Sequence, residues 1–413
     1  MSAYAPYLDW IESQSGLMLE TLISWANINS GSFNPLGLSH LAQLIHAEFA
    51  KPADSATILP AGDFEQIDVH GQTVRIPLGP NIHAVKRPHA PRQVLLAIHM
   101  DTVYGLESPF QTVKRLDDQM ICGPGVADAK GGLVIMLFAL QALERFVLDT
   151  GEQRLGWEVI VNSDEEIGSP GSAHLFNEAA QRVQLALLFE PSLPNGALVS
   201  SRKGSGNFSV IASGQAAHSG RDFHLGRNAI VAAADVTAEL HRLNGRWPEL
   251  TLNVARIDGG GPSNMVPALA IVRFNIRYTE RGHEPEVLST IREILARISS
   301  QTGVELSLHG DFLAPPKSLT PALETMLSQF QTCGHELGLD LVWCPSGGAC
   351  DGNRLAALGI PNVDTLGVRG GKIHSHDEFT AIESLAERAK LTALYLLHMA
   401  AGKMTPPPSE HGQ

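Results

Sequence analysis

The chain has 413 residues, 44% hydrophobic and 18% charged, with 39 Gly, 25 Pro and a formal net charge of −13. That length exceeds the roughly 250–300 residues at which a single core stops growing, so two domains are expected. The composition excludes a disordered or fibrous chain, and the acidic balance excludes a broad nucleic-acid footprint, since phosphate binding needs a basic surface.

No Lys or Arg precedes Lys51, so the charged start of a secretory signal is missing and no targeting segment is expected. Residues 94–100 (VLLAIHM) form a continuous apolar run, the pattern of a strand buried on both faces. The glycine-rich turn CGPGVADAKGG then leads into a helix expected from about Ala129 to Phe146. Its apolar stretch, around Leu133 to Leu143, is short for about 30 Å of hydrocarbon and predicts a core helix with no membrane partner. Two more buried strands are expected in WEVIVNSDEE and LALLFEPS. This alternation indicates an α/β domain whose sheet is covered by helices on both faces.

The pattern changes near Lys203. Residues 207–215 alternate like a half-exposed strand, followed by a helix over 228–243, strands near 251–257 and 269–279, a helix over 284–301 and a strand near 304–309. The order βαββαβ is that of a ferredoxin-like module. It predicts a domain over 204–312 inserted into a discontinuous α/β domain formed by 1–203 and 313–413. Beyond it, helices are expected near 321–338 and 384–400, with a strand near 363–368, and the tail TPPPSEHGQ (405–413) is expected to be mobile. Cys122, Cys333, Cys344 and Cys350 form no C-x-x-C pair, which predicts reduced thiols in a cytoplasmic protein.

Ligands of open α/β sheets bind beyond the carboxyl ends of the strands, and several of these ends carry Asp, Glu or His. His99 and Asp101 close the first strand, where an Asp two residues on can orient a ligating His. Asp128 precedes a helix, a position also suited to an N-cap. Asp164-Glu165-Glu166 places three repelling carboxylates together, which either solvent or a cation would relieve. Glu190 ends a buried strand, where an acid needs a partner. His374 and His376 lie in GGKIHSHDEF, and spacing leaves open which of them joins the others. Oxygen and imidazole donors without cysteine suit a catalytic zinc pair better than a structural zinc. Two doubly charged zinc ions would be balanced by Asp128, Glu166, Glu190 and one hydroxide.

The segments LLAIHMDTVY, GPGVADAKGG, NSDEEIGSPGS, LLFEPS, GQAAHSG, GRNAI, NMVPALAIVRFNIR, SGGACDGN and GGKIHSHDEF resemble the zinc metallopeptidases of the aminoacylase, acetylornithine deacetylase and glutamate carboxypeptidase group. The resemblance is nearest to the glutamate carboxypeptidase branch. It implies two Zn²⁺, with Co²⁺ or Mn²⁺ as alternatives, bridged by Asp128. His99 and Glu190 complete one site, and Glu166 with His374 the other. The first His of H-x-x-x-E is then His374, paired with Glu378. Asp101 would orient His99, and Glu165 would be the general base acting on the water between the metals. A cis peptide is implied after Asp128.

The insert corresponds to the family's lid and dimerisation domain, moving on a hinge near 203 and 313. His218 would reach the partner subunit's site to stabilise an oxyanion, while Asn264 and Arg277 would hold the substrate's carboxylate. Lys203, in SSRKGSG, is a candidate substrate contact. Asp311, in LHGDF, argues against a glutamate side chain in the pocket, and Cys350 is expected in the pocket wall. The implied activity is hydrolysis of an N-acyl amino acid or short peptide with a free carboxylate. Alternatives are a deacetylase or desuccinylase of a biosynthetic intermediate and a catalytically silent binding relative. A homodimer through the lid is implied.

Overall fold

The computed structural model describes residues 3–407, and only Thr405–Pro407 of the expected mobile tail fall within them. Its organising element is the strand Arg92–His99, whose residues from Gln93 onward are all buried. This strand lies inside a six-stranded mixed sheet ordered Ser55–Leu59, Asn81–Lys86, Leu155–Asn162, Arg92–His99, Leu185–Leu188, Asn362–Val363. It runs parallel to Leu155–Asn162 and Leu185–Leu188, and Asn362–Val363 extends the parallel part. Because side chains alternate across a strand, Val94, Leu96 and Ile98 enter one core while Leu95 and Ala97 enter another on the opposite face. Helices Lys130–Thr150 and Ser384–Ala400 fill the larger core, together with helices of the first fifty residues. Both faces are thus covered, which is why the strand reads as continuously apolar.

The helix Lys130–Thr150 is 21 residues long, longer than its most apolar stretch suggested. By length and composition it is the one described helix able to cross a membrane, but 78% of its apolar window is buried in the protein, the character of a core helix. Gly151, at φ 72°, ends it in the left-handed conformation, and its N–H bonds Val147 O.

A second core joins Phe208, Val210 and Phe274 to Ile291 and Ile298. Its sheet, ordered Thr251–Gly259, Leu269–Tyr278, Gly204–Ser213, Glu305–Ala314, is antiparallel throughout. Helices Ala229–Arg242 and Glu284–Thr302 contribute their apolar stripes to that core. The α/β class with a βαββαβ unit is the architecture that forms.

Two expectations change. The strand foreseen near 363–368 is only Asn362–Val363, because Asp364 turns inward to an ion cluster. The strand foreseen through Glu166 stops at Asn162. There Asp164 Oδ2 accepts from Gly171 N at 2.6 Å and Ser172 N at 3.1 Å, and Oδ1 from the Ser172 hydroxyl at 2.6 Å. These bonds fold the chain into the turn Glu165–Ile167. The helices Ala5–Ser13, Ser15–Ala26 and Pro35–Phe49 and the hairpin Asp63–Ile67/Thr73–Pro77 were not foreseen; the hairpin's strands are short and half exposed and carry no core signal.

The two chain crossings into the βαββαβ unit run side by side. Arg202 and Lys317 exchange backbone hydrogen bonds of 2.8 and 3.0 Å. Their side chains share one buried carboxylate: Arg202 Nε and Nη2 reach Asp364 at 2.8 and 3.0 Å, and Lys317 Nζ reaches it at 2.7 Å. Asn353 Nδ2 donates to Lys203 O at 3.1 Å and Pro315 O at 2.7 Å, one bond to each crossing. Burial alone would raise the Asp364 pKa, but the Arg202 and then the Lys317 charge outweigh it and hold the carboxyl at about 2. A depressed carboxylate stabilises the fold above its unfolded pKa, about 3.9, and that contribution is lost as pH falls towards 2. Asp364→Ala, which leaves two buried cations unpaired, is expected to cost about 3–5 kcal/mol in urea unfolding at neutral pH. A cost under about 1 kcal/mol, the size of an exposed pair, would refute this role.

Candidate metal centre

The site assembles where the parallel strands end. Asp101 is wholly buried beyond the strand Arg92–His99. Its Oδ1 accepts from Glu165 N at 3.1 Å and its Oδ2 from Glu166 N at 3.2 Å and the Ser32 hydroxyl at 2.7 Å. The His99 Nδ1 lies 3.0 Å from Asp101 O and 3.3 Å from its Oδ1. A carbonyl only accepts, so Nδ1 carries the proton, and in the neutral ring Nε2 presents a lone pair.

That lone pair faces Asp128 Oδ1 at 3.1 Å and Glu190 Oε2 at 3.7 Å. The other Asp128 oxygen, Oδ2, faces His374 Nε2 at 3.3 Å, and His374 Nε2 is 3.1 Å from Glu166 Oε2. One carboxylate therefore divides its two oxygens between two imidazoles, each with a second carboxylate beside it. Ligand atoms of His99, Asp128 and Glu166 lie within 4.8 Å of one another. Lone pairs aimed at one another repel unless a cation or proton lies between them. Glu166 Oε1 is in addition buried without a hydrogen-bond partner, which marks a missing partner. The residues fit two adjacent divalent cations bound through nitrogen and oxygen, with Asp128 able to touch both.

The surroundings hold this geometry. Glu378, fully buried, accepts at Oε1 from Ala127 N (2.9 Å) and Asp128 N (3.0 Å), and at Oε2 from the Tyr104 hydroxyl (2.9 Å). The Asp128–Ala129 peptide is cis, as the resemblance implied. Gly132 lets the following helix approach the strand end beside Glu190, since a Cβ there would lie 2.1 Å from Phe189 O. His374 itself takes φ 61°, a left-handed conformation that costs a non-glycine residue energy and collects at functional sites.

Glu165 lines the same cavity, of about 340 Å³, and its carboxyl makes no hydrogen bond or ion pair with another described residue. Burial, and next the negative Glu190, hold its pKa well above the usual carboxylate range. Arg277 from the βαββαβ sheet also lines the cavity, and burial lowers its pKa. Cys350 lies in the wall with Sγ 3.6 Å from Asp364 Oδ2, and burial pushes its thiol well up, the condition of an inert thiol.

The structure separates residues that spacing could not. His376 stacks on Phe110, with ring centroids 5.6 Å apart, and takes no part in the cluster. Lys203 does not line the cavity; its ammonium is held by Glu249 O and Oε2, both at 3.0 Å. His218, in the short strand Ala217–His218 paired with Met265–Val266, and Asn264, in the turn before Met265, are exposed and joined by Ser219 N to Asn264 O at 3.0 Å, and neither lines the cavity of its own chain. Asp311 is exposed and lines a neighbouring groove, not this cavity. Tyr104 and Ser32 went unrecognised because single hydroxyls far apart in sequence carry no pattern. Asp101→Asn is expected to weaken metal binding about 10–100-fold with the fold intact, because it disturbs the group that orients His99. Unchanged affinity in chelator competition, with a native circular-dichroism spectrum, would contradict that.

The sequence profile of peptidase family M20/M25/M40 matches residues 95–398. Carboxypeptidase G2 of Pseudomonas sp. (strain RS-16) is 26% identical over 396 residues, covering 94% of this chain and 90% of that protein. The succinyl-diaminopimelate desuccinylase of Pseudomonas syringae pv. syringae is 30% identical over 282 residues, 64% of this chain and 71% of that protein. The di-peptidase Dug1p of Saccharomyces cerevisiae shares the fold, with a TM-score of 0.75 at 16% identity over 97% of this chain and 99% of that one. With a matched profile spanning most of its length and the strand-end carboxylates and histidines gathered in one cavity, this chain belongs to peptidase family M20/M25/M40, metal-dependent hydrolases of peptide and related amide bonds.

Proposed function

We propose that the protein cleaves the amide bond of an N-acyl amino acid or short peptide bearing a free carboxylate. In this reading His99, Asp128, Glu166, Glu190 and His374 hold two zinc ions, and Glu165 is the general base. The observation that supports it most is the division of Asp128 between two imidazoles, with an unpartnered glutamate beside them. The same donors also accept cobalt or manganese.

Bound zinc would polarise the scissile carbonyl and let water attack near neutral pH. The Glu165 carboxylate takes the proton of the attacking water and delivers it to the leaving nitrogen. Its carboxyl lines the cavity without a hydrogen bond or ion pair to another described residue, which leaves its oxygens available to that water and that nitrogen. Arg277 offers a guanidinium with no carboxylate partner among the described residues, and it anchors the substrate's free carboxylate.

His218 would serve the partner subunit of a homodimer. Its Nδ1 accepts from Gly220 N (3.1 Å) and Arg221 N (3.2 Å), so a neutral ring carries its proton on Nε2. That is the tautomer that can donate to an oxyanion. Phe223, Leu225 and Met265, exposed by 64%, 54% and 40%, are apolar surface in the same loop region, which fits contact with a second copy. In this reading the unit 204–312 closes as a lid over the site held by 1–203 and 313–413.

Glu165→Gln is expected to lower kcat about 10²–10⁴-fold while metal content stays at the wild-type level. Activity within about threefold of wild type would end the general-base assignment. Mixing His218→Ala with Glu165→Ala subunits is expected to restore part of the activity through the heterodimer. Confirmed heterodimers without recovery would show that His218 does not act across the interface.

A further inference from the structure

The two crossings into the βαββαβ unit and the turn that carries Glu165 are both held by one short helix, Asp351–Ala357. The link to the crossings is Asn353, which is wholly buried. Its carboxamide is fully engaged: Nδ2 donates to Lys203 O and Pro315 O at 3.1 and 2.7 Å, and Oδ1 accepts from Cys350 N at 3.0 Å. One planar group thereby joins both crossings to the start of the helix. Gly352 brings the same helix against the ion cluster of the crossings, since a Cβ there would lie 2.9 Å from Asp364 Oδ2. Its carbonyl accepts from Asn362 Nδ2 at 3.0 Å.

Asp351 makes the link to the turn. Buried in the cavity wall, it accepts at Oδ1 from the Ser169 hydroxyl at 2.5 Å and at Oδ2 from Asn162 Nδ2 at 2.7 Å. Asn162 ends the strand before the turn Glu165–Ile167 and Ser169 follows that turn, so one carboxylate clamps both ends of the segment. Ser169 is buried at φ 57°, a left-handed conformation that costs a serine energy, and its N–H bonds Asp164 O at 2.8 Å. Arg354, whose Nε is buried without a partner, reaches Gly168 O through Nη2 at 3.4 Å. The second crossing also meets the turn directly, because a Cβ on Gly168 would lie 2.9 Å from Leu313 Cδ1.

Apolar side chains would fill the same space, yet Asp351, Asn353 and Arg354 each bond a segment outside their helix. A buried carboxamide or carboxylate that lost its partners would carry an unmet desolvation cost. A shift of the crossings is therefore passed to the helix rather than absorbed beside it. On its other side the turn is held by Asp101, which accepts from Glu165 N and Glu166 N at 3.1 and 3.2 Å. Two acids thus grip the turn, one fixed beyond the His99 strand and one on a helix tied to the crossings.

We propose that Asn353 and Asp351 are positioning residues for Glu165, joined through the helix Asp351–Ala357, so that the placement of the lid at its crossings sets the placement of the base. Movement of the unit 204–312 shifts Lys203 and Pro315, Asn353 follows them, and Asp351 passes the shift to Ser169 and the turn. This rests on the lid and general-base readings above, and amide exchange tests it without turnover.

Full-length wild type, Asn353→Ala and Ser169→Ala, all zinc-loaded, are compared by hydrogen exchange read on peptides by mass spectrometry. Asn353→Ala is expected to raise exchange about tenfold or more at the amides of 163–170, across the helix, while 93–99 keeps its protection. Coupling is reciprocal, so Ser169→Ala is expected to raise exchange at 199–205 and 313–318. The same proteins are assayed with whichever of N-acetylglutamate, N-acetyl-leucine or alanyl-leucine the wild type cleaves fastest. Each variant is expected to lose about 10–100-fold in kcat with KM within about twofold of wild type. The double variant is expected to fall little below the slower single one, since both cut one path. Exchange changes confined to the substituted segment, a uniform rise across all peptides, or kcat losses that multiply in the double variant each overturn the coupling. Reciprocal exchange changes without hydrolysis of any substrate by the wild type would overturn the hydrolase reading and leave the coupling standing. The substitutions lie at opposite ends of the path, so either folded variant decides the matter.

Discussion

Asp101 holds together the residues of the candidate metal centre. It is one buried carboxylate met by the His99 ring, the amides of Glu165 and Glu166, and the Ser32 hydroxyl. The ring comes from one strand end and the two amides from the turn beyond another. Asp101 thus sets the tautomer of a candidate metal residue through its carbonyl, and the position of both the candidate base and a further candidate metal residue through its carboxylate. Such a group is costly to bury alone, and the four donors offset that cost.

Around this centre the charges are sorted by whether the protein satisfies them. Asp364 takes Arg202 and Lys317 at the crossings into the βαββαβ unit, and Glu378 takes the amides of the Asp128 turn and the Tyr104 hydroxyl. Those groups are complete. Glu165, Arg277 and Arg354 line the cavity with less than they could bind, and unmet polar capacity in a cleft is the physical mark of a ligand site.

Much of the fold was legible before any coordinates. The run VLLAIHM had to be a doubly covered strand because no polar residue interrupts it before His99, and the sheet buries both its faces. The βαββαβ order followed from alternation in the strands and amphipathic spacing in two helices, which match Ala229–Arg242 and Glu284–Thr302 within a residue or two. The first ninety residues were not legible. Their helices pack onto a core made elsewhere in the chain, and the hairpin Asp63–Ile67/Thr73–Pro77 has too few buried positions to leave a pattern.

Sequence by itself determined which residue types stand at strand ends and in what order, because the periodicity of burial places those ends. Spacing alone could not decide between His374 and His376, which are two residues apart and equally polar, although the family resemblance pointed to His374. Tertiary structure supplies the physical reason: His374, with a left-handed backbone, brings its ring to Asp128 and Glu166, while His376 stacks on Phe110. The same holds for Lys203 and Arg354, since any cation is a candidate ligand contact until its neighbours are known. Lys203 found Glu249 outside the cavity wall, and Arg354 lines the wall without a direct ion pair to a described residue. Whether a charge is spent within the protein or left for a substrate is a property of distances between segments far apart in the chain, and those distances exist only in the folded molecule.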